Sequence, residues 1–120
     1  MEQKKSPTHL NKLCFSEGTS KYLLPYHDVI YFKSDSNYCH IIGRDQKYFI
    51  CQTLKWVSRQ LPLSQFIRVH HRYAVNIDDI KSLNISTWNI EISTGEYIPV
   101  SRTNRAAVRE LFQTKSKVKM

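Results

Sequence analysis

The stretch Phe66–Ile80, FIRVHHRYAVNIDDI, constrains this chain more than any other. Read with a period of two, Ile67, Val69, Tyr73, Val75 and Ile77 fall on one side and Arg68, His70, Arg72 and Asn76 on the other. Such alternation, rich in β-branched and aromatic residues, is the pattern of a half-buried strand. No carboxylate occurs from Gln65 to Ile77, so the polar side is cationic or neutral. An Arg/His side can present donors to phosphates or base edges. It can equally be the solvated face of a core strand, and the stretch alone leaves both readings open.

The rest of the chain reads as more β-structure with two short helices. Lys12–Phe15 and Lys21–Leu24 flank a Ser-Glu-Gly-Thr-Ser turn and form a hairpin ended by Pro25. Asp28–Ser34 leads into a buried strand, Asp35–Tyr38 is a cluster of turn formers exposed between strands, and Cys39–Ile42 pairs with Tyr48–Cys51. Thr53 caps a helix carrying Leu54, Val57 and Leu61 inward, stopped by Pro62. Ser82–Ile85 and Trp88–Ile92 are the arms of a hairpin, and Pro99 marks Tyr97–Val100 as an edge strand. From Thr103 the period becomes helical, with Val108, Leu111 and Phe112 inward. Arg102, Arg105 and Arg109 form one cationic stripe, and Ser101 or Thr103 stands at the cap. A helix start flanked by Ser101 and Arg102 suits a phosphate.

At 120 residues the chain has room for one core. The expected division is a lead-in at 1–9, a folded domain at 10–113 and a basic tail at 114–120. No run approaches the ~18 apolar residues a membrane span requires, and Met1–Pro7 lacks the apolar core of a signal peptide. The expected location is the cytosol. Cys14, Cys39 and Cys51 are odd in number and include no Cys-x-x-Cys pair, which argues for reduced thiols, with Cys51 a core residue behind Phe49-Ile50.

The net charge of +8 points to a polyanionic partner. Most of the excess lies at the end of the chain, where Arg102, Arg105, Arg109, Lys115, Lys117 and Lys119 face Glu110 alone. Catalysis is disfavoured. His9, His27, His40, His70 and His71 have no Ser or Cys partner in a recognisable nucleophile motif. No cofactor is expected, and no metal either: Cys39-His40 and His70-His71 are neighbours that a strand would send to opposite faces.

Three segments taken together resemble the LytTR DNA-binding domain, the effector domain of LytR/AlgR-type bacterial response regulators. They are Val29–Tyr38, VIYFKSDSNY; Phe66–Asn76, FIRVHHRYAVN; and Ile98–Arg102, IPVSR. The resemblance covers residues 10 to 113. It implies a mostly β fold with short helices, an elongated stack of small antiparallel sheets. It also implies a regulator that binds double-stranded DNA through loops, reaching two successive major grooves and the minor groove between them. Arg102 matches the arginine that follows the motif serine and is assigned to a base. Asn37, Tyr38, Cys39 and His40 match the loop serving the other major groove, and His71 and Arg72 match the minor-groove segment. Arg105 is assigned to phosphate.

Paired half-sites, two copies on DNA and a receiver domain or sensor partner belong to the same implication. One departure stands out. The family pattern reads His-Arg-Ser before the aromatic residue, whereas this chain reads His70-His71-Arg72-Tyr73, so strict alternation would turn His71 inward. The competing reading of the whole chain is a small basic β-rich interaction module for a protein or an anionic surface.

Overall fold

The computed structural model describes residues 11–118, with side chains up to Gln113. The expected lead-in at 1–9 lies outside the described residues, as do the side chains of the expected tail at 114–120. Strands β1 (Lys12–Glu17) and β2 (Ser20–Pro25) pair as an antiparallel hairpin. Gly18 at its turn has φ +61, a left-handed conformation that costs glycine no steric penalty. Strands β3 (Val29–Asp35), β4 (Tyr38–Gly43) and β5 (Lys47–Ile50) form a meander. Gly43 is fixed by close approach, because a Cβ there would sit 2.7 Å from the Gln46 carbonyl oxygen.

Helix α1 (Leu54–Gln60) begins where the Thr53 hydroxyl accepts the Trp56 N–H at 3.1 Å and stops before Pro62. Strands β6 (Phe66–His70) and β7 (Tyr73–Asn76) follow, then β8 (Ile80–Asn84), β9 (Asn89–Ile92) and β10 (Tyr97–Pro99). A 3-10 turn, Arg102–Asn104, leads into helix α2 (Arg105–Val118). The expected elongated stack of small antiparallel sheets with short helices is therefore the fold observed.

The Phe66–Ile80 stretch is not one strand. It is the β6–β7 hairpin, with His71-Arg72 as its turn and His70 paired to Tyr73. A two-residue turn pairing His70 with Tyr73 would by itself reverse the period-two alternation, and a β-bulge between Arg68 and His70 restores it, so Val69 and Tyr73 stay on one face. The polar side is not a donor face either. Asn76 is fully buried, its Nδ2 donating to the Val29 carbonyl at 2.8 Å while its Oδ1 accepts from Gln65 Nε2 at 2.8 Å and from the Asp78 N–H at 3.0 Å.

Five strands in the order β5-β4-β3-β7-β6 make the central sheet. One face packs on the β1–β2 hairpin and α1 through Leu13, Phe15, Phe32, Cys39, Ile41, Ile50, Val57 and Phe66. The other packs on the three-stranded sheet β10-β9-β8 and α2 through Tyr31, Val69, Val75, Ile90, Ile92, Ile98 and Val108. Each such large apolar side chain contributes roughly 1.5–3 kcal/mol by leaving water. β10 lies at a sheet edge, as Pro99 requires. Among the described residues no helix is long and apolar enough to cross a membrane.

The cysteines exchange roles relative to the sequence reading. Cys39 is fully buried and Cys51 is exposed. In β4 the inward positions are Cys39 and Ile41, and the outward ones are Tyr38 and His40. The expected Cys39 contact is thus corrected: its side chain points into the core, away from the loop, and burial pushes its thiol pKa up to about 12.

Candidate nucleic-acid interface

Two hydrogen bonds gather the three segments singled out in the sequence. The β3–β4 turn, Ser36-Asn37, and the β6–β7 turn, His71-Arg72, lie at the same end of the central sheet because β7 pairs with β3 as Lys33↔Tyr73. The Ser34 N–H donates to the Arg72 carbonyl at 2.9 Å, locking one turn beside the other. Beyond β6, the outermost strand, the Ser101 N–H donates to the Val69 carbonyl at 2.9 Å. The chain therefore presents in one row the Asn37 turn, the His71-Arg72 turn and the Ser101-Arg102 segment.

In the first segment Ser36 adopts φ 56, which tightens the turn and leaves Asn37 exposed. Tyr38 is 42% exposed, and its ring lies 5.1 Å from that of Phe49 on β5. The His40 ring lies tilted against the same Phe49 ring at 4.7 Å, and its Nε2 lies 3.1 Å from the Asp35 carboxylate. Cross-strand register continues this outer face as Phe49, His40, Lys33, Tyr73 and His70, one residue from each strand. It is a mixed aromatic and cationic strip next to the row of turns.

The second segment is held from beneath by Arg68. Its Nε donates to the His70 carbonyl at 3.0 Å, one terminal nitrogen to the His71 carbonyl at 2.8 Å and the other to the Ser58 hydroxyl at 3.2 Å. His71 and Arg72 are both exposed, so the turn removes both from the strict alternation that would have turned His71 inward. His70 lies under the turn, its Nδ1 accepting the Arg72 N–H at 3.1 Å. Burial lowers its pKa first, and the charges of His71, Arg72 and Arg68 lower it further.

In the third segment Arg102 is exposed in the 3-10 turn. The Ser101 hydroxyl makes no cap to the helix backbone and instead accepts from Asn104 Nδ2 at 2.6 Å. The arginine stripe divides. Arg102 stands apart, while the guanidinium carbons of Arg105 and Arg109 lie 4.8 and 5.3 Å from the centre of the Trp88 ring. The 3-10 turn breaks the 100° progression from which the stripe was drawn.

Sequence reasoning missed Trp88, Phe49 and Lys33, and read Arg68 as part of a donor face rather than as the support of the turn. Arg68 and Lys33 could have been found by pairing strands rather than reading each alone. Trp88 carries no local signal, because it reaches the α2 arginines from the turn between β8 and β9. Among the described residues no cluster of three or more His, Cys, Asp or Glu is arranged to hold a metal ion.

Residues 19–113 match the model of the LytTr DNA-binding domain family. The sensory transduction protein LytT of Bacillus subtilis is 33% identical over 105 residues, covering 85% of this chain and 44% of that protein. The heme-containing CO-sensing transcriptional regulator RcoM 1 of Paraburkholderia xenovorans is 29% identical over 112 residues, covering 89% of this chain and 42% of that one. The chain thus spans less than half the length of these relatives. In fold it is similar to the LytTr DNA-binding domain of a putative methyl-accepting/DNA response regulator from Bacillus cereus. The TM-score is 0.72 at 22% identity, covering 85% of this chain and 96% of that one. From the family match across most of its length, this chain belongs to the LytTR DNA-binding domain family.

Proposed function

We propose that the chain is a sequence-specific double-stranded DNA-binding regulator of transcription that reads DNA through the row of three segments. The observation that carries this reading is the pair of bonds Ser34 N–H to Arg72 and Ser101 N–H to Val69, which line the segments up on one rigid sheet end. Arg102 enters one major groove, where a guanidinium fork matches guanine. Asn37, Tyr38 and His40 serve the neighbouring major groove, and His71 and Arg72 the minor groove between them. Arg105 contributes to phosphate contact. Affinity comes from neutralised phosphates and specificity from the base edges. Two copies occupy paired half-sites, and a receiver or sensor portion on the same or another chain supplies the signal, in keeping with the greater length of the relatives.

The test is selection of bound duplexes from a random pool, followed by binding of the winner at two salt concentrations. An enriched motif arranged as two half-sites and preferred over competitor DNA supports the reading. Salt-sensitive binding with no enriched sequence would reduce the surface to a basic patch and favour an interaction module.

A further inference from the structure

We infer that Trp88, Arg105 and Arg109 form a phosphate-binding clamp, a site for a DNA backbone phosphodiester separate from the base-reading Arg102. The inference rests on the DNA-binding reading above and adds to it a site, a ligand class and a positioning residue.

Arg105 and Arg109 are four apart on α2, so their side chains share one side of the helix. Like charges at that spacing repel, yet both guanidiniums converge on a single indole ring, at 4.8 and 5.3 Å from its centre. The negative face of the ring offsets part of the repulsion. It does not neutralise the charge, and among the described residues neither guanidinium lies within ion-pair distance of a carboxylate. Arg105 and Arg109 therefore form a fixed double positive charge. The first turn of α2 contains no acid, so the positive end of the helix adds to it.

Arg105 is aimed by stacking rather than by hydrogen bonds. Its Nε is buried without a partner. Among the described residues its terminal nitrogens make no hydrogen bond, which leaves that end of the fork for a ligand. A phosphodiester suits them, since its two free oxygens match paired N–H donors.

Trp88 is held for this role at some cost to the backbone. Its φ of 54 is an outlier for a bulky residue. Its N–H donates to the Asn84 carbonyl at 2.8 Å, and its own carbonyl accepts the Val100 N–H at 2.9 Å. The Asn84 side-chain oxygen accepts from Ser86 and Thr87 as well, which closes the loop. Through Val100 the ring is tied to the segment that carries Arg102, so clamp and base reader move together. Trp88 is a positioning residue, and the two arginines are the contacts.

The experiment measures binding of the selected duplex and of a random duplex, each across a salt series. It uses the full chain and the variants Arg109→Ala, Trp88→Leu and Trp88→Phe, with folding checked by thermal melting. Each neutralised phosphate contributes about 0.9 to the slope of log affinity against log salt. Arg109→Ala lowers the slope by about 0.9 and weakens both duplexes by the same factor, leaving the preference between them intact. Trp88→Leu does the same to a greater extent, and Trp88→Phe falls between it and the native protein. A purely structural Trp88 would change melting and leave the slope alone.

The clamp is overturned if folded Arg109→Ala and Trp88→Leu keep the native slope while the native protein retains its sequence preference. Arg109 is exposed, so that variant remains informative if Trp88→Leu fails to fold. Absence of duplex binding by the native protein would overturn the functional reading and the clamp together, a result distinct from failure of the clamp alone.

Discussion

Arg44 closes a two-pronged ion pair on Asp79, its terminal nitrogens 2.7 and 2.9 Å from the two carboxylate oxygens. Asp79 is only 4% exposed and also accepts the Ser93 hydroxyl at 2.7 Å, while Arg44 Nε donates to the His27 carbonyl at 2.7 Å. The pair ties the segment before β3, the turn before β8 and the β9–β10 turn into one junction. Replacing Arg44 by Met strands a buried carboxylate, a change that costs about 3 kcal/mol at a site of this kind. Asp79→Asn, which keeps the shape, should cost less. Thermal melting of both variants checks the order.

Arg68→Lys should damage DNA binding more than stability. A lysine cannot bridge the His70 and His71 carbonyls and the Ser58 hydroxyl with one planar group. Loss of a charged hydrogen bond is worth ~1.5–3 kcal/mol. Here it falls on the turn that aims His71 and Arg72. Amide exchange should quicken at residues 70–73, and affinity should drop for selected and random duplexes alike.

His70 makes acid unfavourable to the fold. Its folded pKa is lowered by burial and by the neighbouring His71, Arg72 and Arg68, whereas the unfolded value is ~6.5. The unfolded chain therefore takes up the proton first. The stabilisation is complete above the unfolded pKa and declines as pH falls from there through the folded pKa. Protonation would also remove the Nδ1 acceptor for the Arg72 N–H. Urea midpoints at pH 7.5, 6 and 5 should fall for the native chain and fall less for His70→Gln.

The three thiols should separate cleanly. Cys14 and Cys51 are exposed, while Cys39 is buried with its pKa raised to about 12. Iodoacetamide at pH 8 should label the first two in the native protein and reach Cys39 only in denaturant. Fast native labelling of Cys39 would mean that β4 opens readily.

Arg102 and Arg105 should fail differently. Arg102→Ala removes discrimination at one base position, by ~1–3 kcal/mol. Arg105→Ala weakens all sequences equally and lowers the salt slope. Competition between the selected duplex and single-base variants distinguishes the two.

Period-two and helical spacing made most strands and both helices legible, because each buries one side and alternation records which. The β6–β7 turn was hidden for a physical reason. His71-Arg72 contains no Gly, Pro or Asn, and the bulge between Arg68 and His70 cancels the parity change that a two-residue turn makes. Cys39 was assigned to the contact loop by the family resemblance, whereas its parity with Ile41 in the strand that the sequence already marked turns it inward. Cys51 follows the inward Ile50 and so falls outward. Among the site residues, Arg102, His71, Arg72, Asn37 and Tyr38 are all exposed at one end of the sheet. What sequence could not reveal was support from a distant element, Trp88 against the α2 arginines.

The central sheet is packed on both faces, so its end cannot flex without opening a core. From the β3–β4 turn to Ser101 the row crosses about three and a half strand spacings, or ~17 Å. Successive major grooves of straight B-DNA lie ~34 Å apart. If the two ends of the row serve successive major grooves as proposed, long side chains cover part of the difference and the stiff sheet leaves the remainder to the duplex, which then has to curve toward the protein. Easily bent base steps between the contacted positions should then bind better than stiff ones, giving sequence preference where no side chain reaches.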